Sequence, residues 1–140
     1  MAILIEPLVP IFCDDIRTET SGKLLLIGTY TGPVVVESFP ASLTLRCVVI
    51  SSVSGEGRSE ISFVVNVFDL ESDEPVNSIA TKIAIESLPD AAGTGARVFL
   101  QLPEFTADVD GPTSISIAVD RNEDGLELVG GIEVWDSGQV

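Results

Sequence analysis

Apolar and polar residues alternate along most of this 140-residue chain with a period of two, which is the spacing of side chains that share one face of a β-strand. Clusters of glycine, proline, serine and aspartate separate the alternating runs, and no run keeps a helical period for longer than about two turns. The pattern predicts strands over residues 8–15, 23–30, 34–36, 42–52, 60–69, 77–86, 96–102, 113–119 and 126–135.

About eight or nine strands with turns between them and no helices are typical of two antiparallel sheets packed face to face. We therefore expect an all-β fold, a single-domain antiparallel β-sandwich over residues 1–140, immunoglobulin-like or jelly-roll-like. Pro10 cannot donate a ladder hydrogen bond, so the first strand should lie at an edge or carry a bulge. Residues 23–30 are apolar on both faces, which predicts a strand in the middle of a sheet.

The last two predicted strands should form a hairpin, and glycines mark an irregularity in the second of them. Gly130 and Gly131 predict a bulge or bend there. The residues of that strand that we expect to face the core are Leu126, Leu128, Ile132 and Val134.

Composition narrows the classes of partner. The chain has 22 acidic and 7 basic residues and a net charge of −15, so nucleic acids and anionic membranes should be repelled. Yet 45% of its residues are hydrophobic, which predicts either a very apolar core or an apolar surface covered by a partner. The amino terminus lacks the basic region of a signal sequence, so we expect synthesis in the cytoplasm.

Two cysteines, Cys13 and Cys47, lie in apolar runs. In a reducing compartment we expect both to be small buried core side chains, with a disulfide between them as the weaker alternative.

Several short motifs near the amino terminus resemble those of a protein family. Residues 12–17 read FCDDIR, residues 22–24 read GKL, residues 26–30 read LIGTY and residues 38–41 read SFPA. Together they are similar to the signature of a family of small, uncharacterised bacterial and phage proteins. The resemblance covers about the first third of the chain. It implies a compact β-sandwich and, for a phage member, a place in the virion, and it implies no reaction.

The FCDDIR motif contains two neighbouring acids, Asp14 and Asp15. Neighbours on a strand point to opposite faces, so these two carboxylates should not converge on one bond as a glycosidase pair would. Asp15 and Arg17 share a face and could pair with each other, or Asp15 with Lys23 across the turn. We expect Asp14, Asp15, Arg17 and Lys23 to form structural ion pairs.

Residues 120–125, DRNEDG, match the first half of a calcium-binding loop. Asp120, Asn122 and Asp124 stand at alternate positions, and glycine stands at the sixth. The twelfth position, where a bidentate glutamate belongs, is Gly131. An Asp-Gly hairpin turn explains these residues without metal and is the favoured interpretation, with a calcium site as the alternative. Other acids that could contribute, if the two loops meet, are Glu71, Asp73 and Glu74.

The chain has no histidine, which removes the usual general base and the commonest metal ligand. The short glycine motifs at residues 55–57 and 93–95 do not precede a predicted helix, so neither predicts a phosphate site. We therefore expect no catalysis and no cofactor, with calcium as the one alternative.

Apolar side chains remain as candidates for an interface. The predicted interface residues are Ile3, Leu4, Leu8, Val129 and Trp135. The leading hypothesis is a non-enzymatic module within an oligomer or larger assembly, such as a capsid-decorating or tail-associated component of a phage virion. A second is a soluble bacterial protein- or peptide-binding or regulatory sandwich that accepts a strand at an open edge. A third is a calcium-stabilised binding module.

Overall fold

The computed structural model describes residues 4–55, 57–70, 74–87, 96–120 and 125–139. Within these ranges the chain forms β-strands, a single 3₁₀ turn at Ser137–Gln139 and no α-helix, so the expected all-β class is confirmed. The strands are β1 (Leu4–Ile5), β2 (Val9–Cys13), β3 (Asp15–Thr18), β4 (Leu24–Ile27), β5 (Val34–Val36), β6 (Ala41–Ser54), β7 (Gly57–Asp69), β8 (Pro75–Ser87), β9 (Ala96–Gln101), β10 (Phe105–Val109), β11 (Thr113–Asp120) and β12 (Leu126–Asp136).

The first sheet is built around the long strand β6. Strands β1 and β2 pair with it on one side, while β9 and β10 pair with it on the other, all antiparallel. Pro7 lies between β1 and β2, and Pro103 lies between β9 and β10, where a residue without an N–H group interrupts the ladder. Among the described strands β2 pairs only with β6, so the edge position predicted from Pro10 is confirmed.

The second sheet has the order β5-β12-β11-β7-β8, and every pair in it is antiparallel except β5 with β12. The expected β11–β12 hairpin is present, and its register shifts so that Val129 has no partner between Leu128 and Gly130. The predicted bulge is confirmed. It also reverses the alternation, since Ile132 is buried after it whereas Leu128 before it is 70% exposed. The expectation that Leu126 and Leu128 face the core was therefore wrong.

Side chains of both larger sheets meet in one hydrophobic core. Leu45 and Val49 of β6 lie in it with Phe63 of β7 and with Ile115 and Ile117 of β11, all fully buried. The alternation read from residues 42–52, 60–69 and 113–119 therefore assigns the inward faces of β6, β7 and β11 correctly. Burying such side chains is the main source of stability in a fold of this size.

Strands β3 and β4 form a separate hairpin that covers the outer face of the first sheet. Ile16 and the half-buried Leu26 pack there against Cys13 and Val48. The prediction of a central strand over residues 23–30 was wrong, because the second face of β4 is open and Leu25 is 47% exposed. A run that is apolar on both faces therefore had one face on the sheet and one in solvent.

The sequence pattern missed two strands, β1 and β10, and one of the breaks between strands. Residues 103–112, expected to be a loop, contain β10, which pairs with the first half of β6. The described residues thus form twelve strands, compared with the eight or nine expected, partly because prolines and Asp14 divide longer runs. In the described part of the chain no helix is long and apolar enough to cross a membrane.

Candidate functional site

The FCDDIR and LIGTY motifs lie side by side in the structure. The Asp14 N–H donates to the carbonyl oxygen of Ile27 at 3.0 Å, and the Tyr30 N–H donates to the carbonyl oxygen of Phe12 at 2.9 Å. The segment that follows β4 thus returns to the end of β2. The two motifs, separated in sequence by eight residues, form one corner of the molecule.

The Tyr30 hydroxyl donates a hydrogen bond to a carboxylate oxygen of Asp14 in this corner. Gly28 lies beside the same carboxylate with a φ of +68°, and a Cβ atom at this position would collide with the Asp14 side chain. Both the backbone conformation and the space therefore require glycine. Partial burial, and secondly the Asp14 carboxylate, raise the pKa of Tyr30 to about 12, so the phenol stays a protonated donor at neutral pH.

An open groove of about 300 Å³ lies next to this corner, between the edge of β2 and the middle of β12. Trp135 Nε1 donates to a Glu133 carboxylate oxygen at 3.1 Å and holds that acid beside the groove. The groove thus offers apolar and aromatic walls with one carboxylate. The residues that line it are Pro10, Ile11, Phe12, Tyr30, Thr31, Gly32, Pro33, Gly131, Ile132 and Glu133.

An apolar row crosses the outer face of the first sheet where the β3–β4 hairpin ends. Val9 of β2 lies directly opposite Ile50 of β6, and Ile50 lies directly opposite Phe99 of β9. Opposed residues of neighbouring strands share a face. Val9 is 46% exposed and Phe99 is 49% exposed, while Ile50 also packs under the hairpin. We call Val9, Ile50 and Phe99 the outer row.

Sequence reasoning missed the outer row. The alternation of residues 96–102 assigns Val98 and Leu100 to the core, which by itself places Phe99 on the opposite face. The alternation in this strand was therefore sufficient to predict that Phe99 faces away from the core. What the sequence does not contain is the register that aligns Phe99 with Val9 and Ile50, three segments from distant parts of the chain.

The predicted ion-pair residues divide into two groups. Arg17 Nε lies 3.1 Å from an Asp15 carboxylate oxygen, and the Ile16 N–H donates to the other oxygen at 2.9 Å. The hydrogen bond from Arg17, followed by that from Ile16, lowers the pKa of Asp15. Lys23 is exposed, and no ion pair joins it to Asp14 or Asp15 among the residues described. Asp14 accepts the Tyr30 hydroxyl instead.

The predicted calcium loop is only partly covered by the structure. Asp120 ends β11, and its Oδ1 atom is buried with no hydrogen-bond partner among the described residues. Its opposite residues on the neighbouring strands are Leu126 and Ser62, so no acid faces it across the ladder. The described residues contain no group of three or more acids or cysteines placed to hold a metal ion. Of the other predicted residues, Glu74 is exposed just before β8, whereas Asn122, Asp124, Glu71 and Asp73 lie outside the described ranges.

The predicted interface residues do not form one surface. Ile3 lies outside the described residues, and Leu4 belongs to β1, where it pairs with Ser54. Leu8 and Val129 are half-buried and pack against the main core, so only part of each side chain is open to a partner. For Val129 the cause of this partial burial is the bulge.

Trp135, the last predicted interface residue, lies half-buried on β12 opposite Val35 of β5, which is exposed. It is therefore the member of the predicted set that keeps an outward position. Its indole also orients Glu133 at the groove.

The two cysteines are free thiols and both are buried. Cys13 lies under the hairpin, whereas Cys47 lies in the main core on the opposite face of the β2–β6 pair. The alternative of a disulfide between them is contradicted, and the buried-thiol prediction is confirmed. Burial raises the pKa of Cys47 to about 12 and also raises that of Cys13, so neither thiol is activated as a nucleophile.

Comparison with known proteins identifies a family and nothing beyond it. No curated protein matches the chain, and no solved structure matches it. One family model matches residues 8–127, a range that includes the motifs of the Tyr30 corner and all three strands of the outer row. The chain therefore belongs to DUF6941, a family of unknown function.

Proposed function

We propose that this protein is a non-enzymatic interaction module that acts as a structural or accessory component of a larger assembly, such as a capsid-decorating or tail-associated protein of a phage virion. We further propose that its two larger sheets form an antiparallel β-sandwich that works as a rigid support. The outer row is the observation that carries the functional proposal.

The outer row has the composition of a protein contact. Val9 and Phe99 are about half exposed, and Ile50 between them joins the row to the cluster under the hairpin. Exposed apolar side chains scattered singly are ordinary on protein surfaces, but three aligned across neighbouring strands form a continuous patch. An aromatic side chain at such a patch is the residue type that dominates binding energy when it enters a partner's pocket.

The charge of the chain indicates the kind of partner. With a net charge of −15, it repels most acidic proteins, including copies that approach through their acidic surfaces. The partner that fits the outer row is a protein with an apolar pocket for Phe99 surrounded by basic residues, since complementary charge favours both encounter and orientation. The acidic loops of the module would then face away from the assembly.

The side-chain chemistry supports a role without catalysis. The chain contains no histidine, and burial keeps both thiols protonated. Tyr30 has a pKa of about 12 and therefore does not act as a base near neutral pH. Histidine, the side chain most often used to move protons, is thus absent from the sequence, and the two thiols and the phenol are held in their protonated forms.

The test compares Phe99→Ser with Leu70→Ser, because Leu70 is 46% exposed and lies outside the outer row. Labelled wild-type protein should bind particles isolated from the source organism saturably, and Phe99→Ser should weaken this binding by at least about tenfold. Leu70→Ser should bind as the wild type does, and circular dichroism should show that both variants fold. Equal binding by Phe99→Ser, or no particle binding by the wild type, would contradict the proposal.

The groove supports a second candidate function, the binding of a short extended peptide. Its apolar walls include Pro10 and Tyr30, and Glu133 is held in place by Trp135, so the peptide of best fit carries an arginine or lysine beside an apolar residue. Fluorescence of Trp135, the one tryptophan, should change on titration with such peptides. Glu133→Gln should remove the preference for a basic peptide over an acidic one. A titration without any change would exclude this candidate.

A further inference from the structure

Strand β8 is a long edge strand. It runs for 13 residues from Pro75 to Ser87, and among the described strands it pairs only with β7. The other side of its backbone is therefore a row of N–H and C=O groups that no described strand occupies. Such an edge is a template for another strand, and after Pro75 it contains none of the prolines that proteins use to block edge pairing.

The middle of β8 is partly symmetric about Thr81, with similar residues two and three positions away on either side. Ile79 and Ile83 stand two residues before and after it, and all three side chains are half-buried on the inward face of the sheet. Beyond them Ser78 and Ala84, both small, stand three residues away on the outer face. An antiparallel strand with the same sequence, centred on the same residue, would therefore match each of these positions with a similar side chain.

We propose that a second copy of this chain pairs with β8 as an antiparallel strand, with a two-fold axis at Thr81. In this register Thr81 lies opposite its own copy and Ile79 lies opposite Ile83. Threonine pairs and pairs of β-branched residues are favourable when directly opposed across strands. The interface is isologous and closed, so it gives a dimer in which the two second sheets form one continuous sheet.

The charges on β8 permit this contact. Lys82 is the one charged residue between Val76 and Ile85, and in the proposed register it lies opposite Ala80 of the other copy. No two like charges are therefore directly opposed. Lys82 also lies 3.7 Å from Glu60 on its own β7, which offsets its charge. In a chain with a net charge of −15, a strand edge without acids from Pro75 to Ile85 is a place where two copies can approach closely.

The proposal goes beyond the function proposed above, because it concerns a different surface from the outer row and names a different partner. A dimer could form whether or not Phe99 binds a particle, and the Phe99→Ser experiment could succeed with a monomer. Pairing of a single strand buries a small area, so we expect a dimer whose population rises with protein concentration and with salt.

The first experiment measures mass by sedimentation equilibrium over a range of concentrations. The wild type should dimerise, and Thr81→Lys should raise the dissociation constant at least about tenfold, because it places two like charges opposite each other at the axis. Thr106→Lys is the matched control, since it makes the same change on β10, an edge strand of the other sheet. A wild type that stays monomeric, or a dimer that Thr106→Lys weakens and Thr81→Lys does not, would overturn the proposal.

The second experiment tests the register with thiol cross-linking, which is selective because both native cysteines are buried. Under a mild thiol oxidant Thr81→Cys should form a disulfide-linked dimer by itself. Ile79→Cys alone should not, since the two copies of residue 79 would stand four positions apart along the strands. A mixture of Ile79→Cys and Ile83→Cys should link again. Cross-linking of Ile79→Cys alone, with none for Thr81→Cys, would exclude this register and the proposed axis.

Discussion

The hydrogen bond from Tyr30 to Asp14 shows how single residues hold two distant motifs together. The carboxylate of Asp14 lies over Gly28, a position where any side chain would collide, and it accepts the phenol from the other end of the same corner. The motifs at residues 12–17 and 26–30 are thus explained by packing and hydrogen bonding. No reaction is needed to account for their residue types.

Ionisation of Tyr30 is a direct test of this corner, because Tyr30 is the one tyrosine in the chain. Its pKa is raised to about 12, mainly by burial and secondly by Asp14. A raised phenol pKa stabilises the fold at every pH below the unfolded value of about 10, and this stabilisation is lost as the pH rises towards 12. Absorbance of tyrosinate in the ultraviolet should therefore rise near pH 12 in the folded protein.

Asp14→Asn should lower the pKa of Tyr30 without restoring its ordinary value, since the variant removes the carboxylate and leaves the burial. Asp108→Asn is a suitable control, because Asp108 accepts a hydrogen bond from Ser42 at a different place on the first sheet. Titration of the wild-type tyrosine near pH 10 under native conditions would show that the corner is open in solution.

Among the structural elements, the hairpin of β3 and β4 behaves as a cover over one face of the first sheet. It closes a small cluster containing Cys13, while Cys47 lies in the main core. Few apolar side chains hold the hairpin down, so it should open locally with a lower free energy than global unfolding requires. Exposure of Cys13 should therefore measure opening of the hairpin, whereas exposure of Cys47 should measure opening of the main core.

A thiol reagent should label Cys13 before Cys47 when the native protein is incubated at mildly alkaline pH. Leu26→Ala should speed the labelling of Cys13 several-fold with a smaller effect on Cys47, because Leu26 packs into the cluster that covers Cys13. Leu25→Ala is the matched control, since Leu25 is the exposed neighbour on the same strand. Mass spectrometry of labelled peptides measures the labelling rates of both cysteines. Equal acceleration of Cys13 labelling by Leu26→Ala and Leu25→Ala would contradict the role of the hairpin as a cover.

Strand β12 depends on two glycines for a different reason from Gly28. A Cβ atom at Gly131 would lie 2.6 Å from the backbone oxygen of Ile115, which cannot move without disturbing the β11–β12 ladder. Gly131→Ala should therefore lower the free energy of unfolding by about 1–3 kcal/mol. Gly32→Ala meets nothing within 4 Å and should change it by less than about 1 kcal/mol.

Urea denaturation measures both glycine variants under the same conditions. The Gly130→Ala variant adds a graded case, since its Cβ atom would meet the ring of Pro10 at 2.6 Å, and a side chain can shift more easily than backbone. The expected order of destabilisation is Gly131→Ala, then Gly130→Ala, then Gly32→Ala. An unchanged midpoint for Gly131→Ala would show that the bulged ladder relaxes at little cost.

These elements also show what the sequence pattern could predict. Alternation assigned the faces of β6, β7 and β11, because one face of each strand is buried and the period of two records that directly. It failed at β12 before the bulge, where one additional residue reverses the faces. It also failed for β4, because local sequence does not distinguish a central strand from an external hairpin that is apolar on both faces.

For the whole molecule, the features that depend on long-range register were beyond the sequence pattern. The outer row needs residues 9, 50 and 99 in line, and the groove needs the edge of β2 beside the middle of β12. Neither alignment is encoded by local alternation, since each depends on which strands pair and where the ladders begin. Composition was therefore enough to suggest an apolar interface, whereas the surface proposed for it, the outer row, could be named only from the structure.

The net charge of −15 affects the whole molecule at once and gives the last prediction. Acidic groups spread over a small folded protein repel one another more in the folded state than in the expanded chain, so they destabilise the fold. Screening by salt weakens this repulsion, because the Debye length falls from about 30 Å at 0.01 M to about 10 Å at 0.1 M. The melting temperature should therefore rise when salt is added, and sodium chloride and potassium chloride should raise it equally.

Glu104→Lys separates this general repulsion from any specific ion effect. Glu104 is exposed between β9 and β10, and its replacement by lysine makes the net charge less negative by two units. The variant should melt at a higher temperature than the wild type in low salt, and the difference should shrink as salt is added. If the melting temperature instead fell with added salt, attractive charge pairs such as Asp15 with Arg17 would outweigh the repulsion. The acidic surface would then help to stabilise the fold. In that case the net charge alone would no longer argue that the acidic face is turned away from a partner.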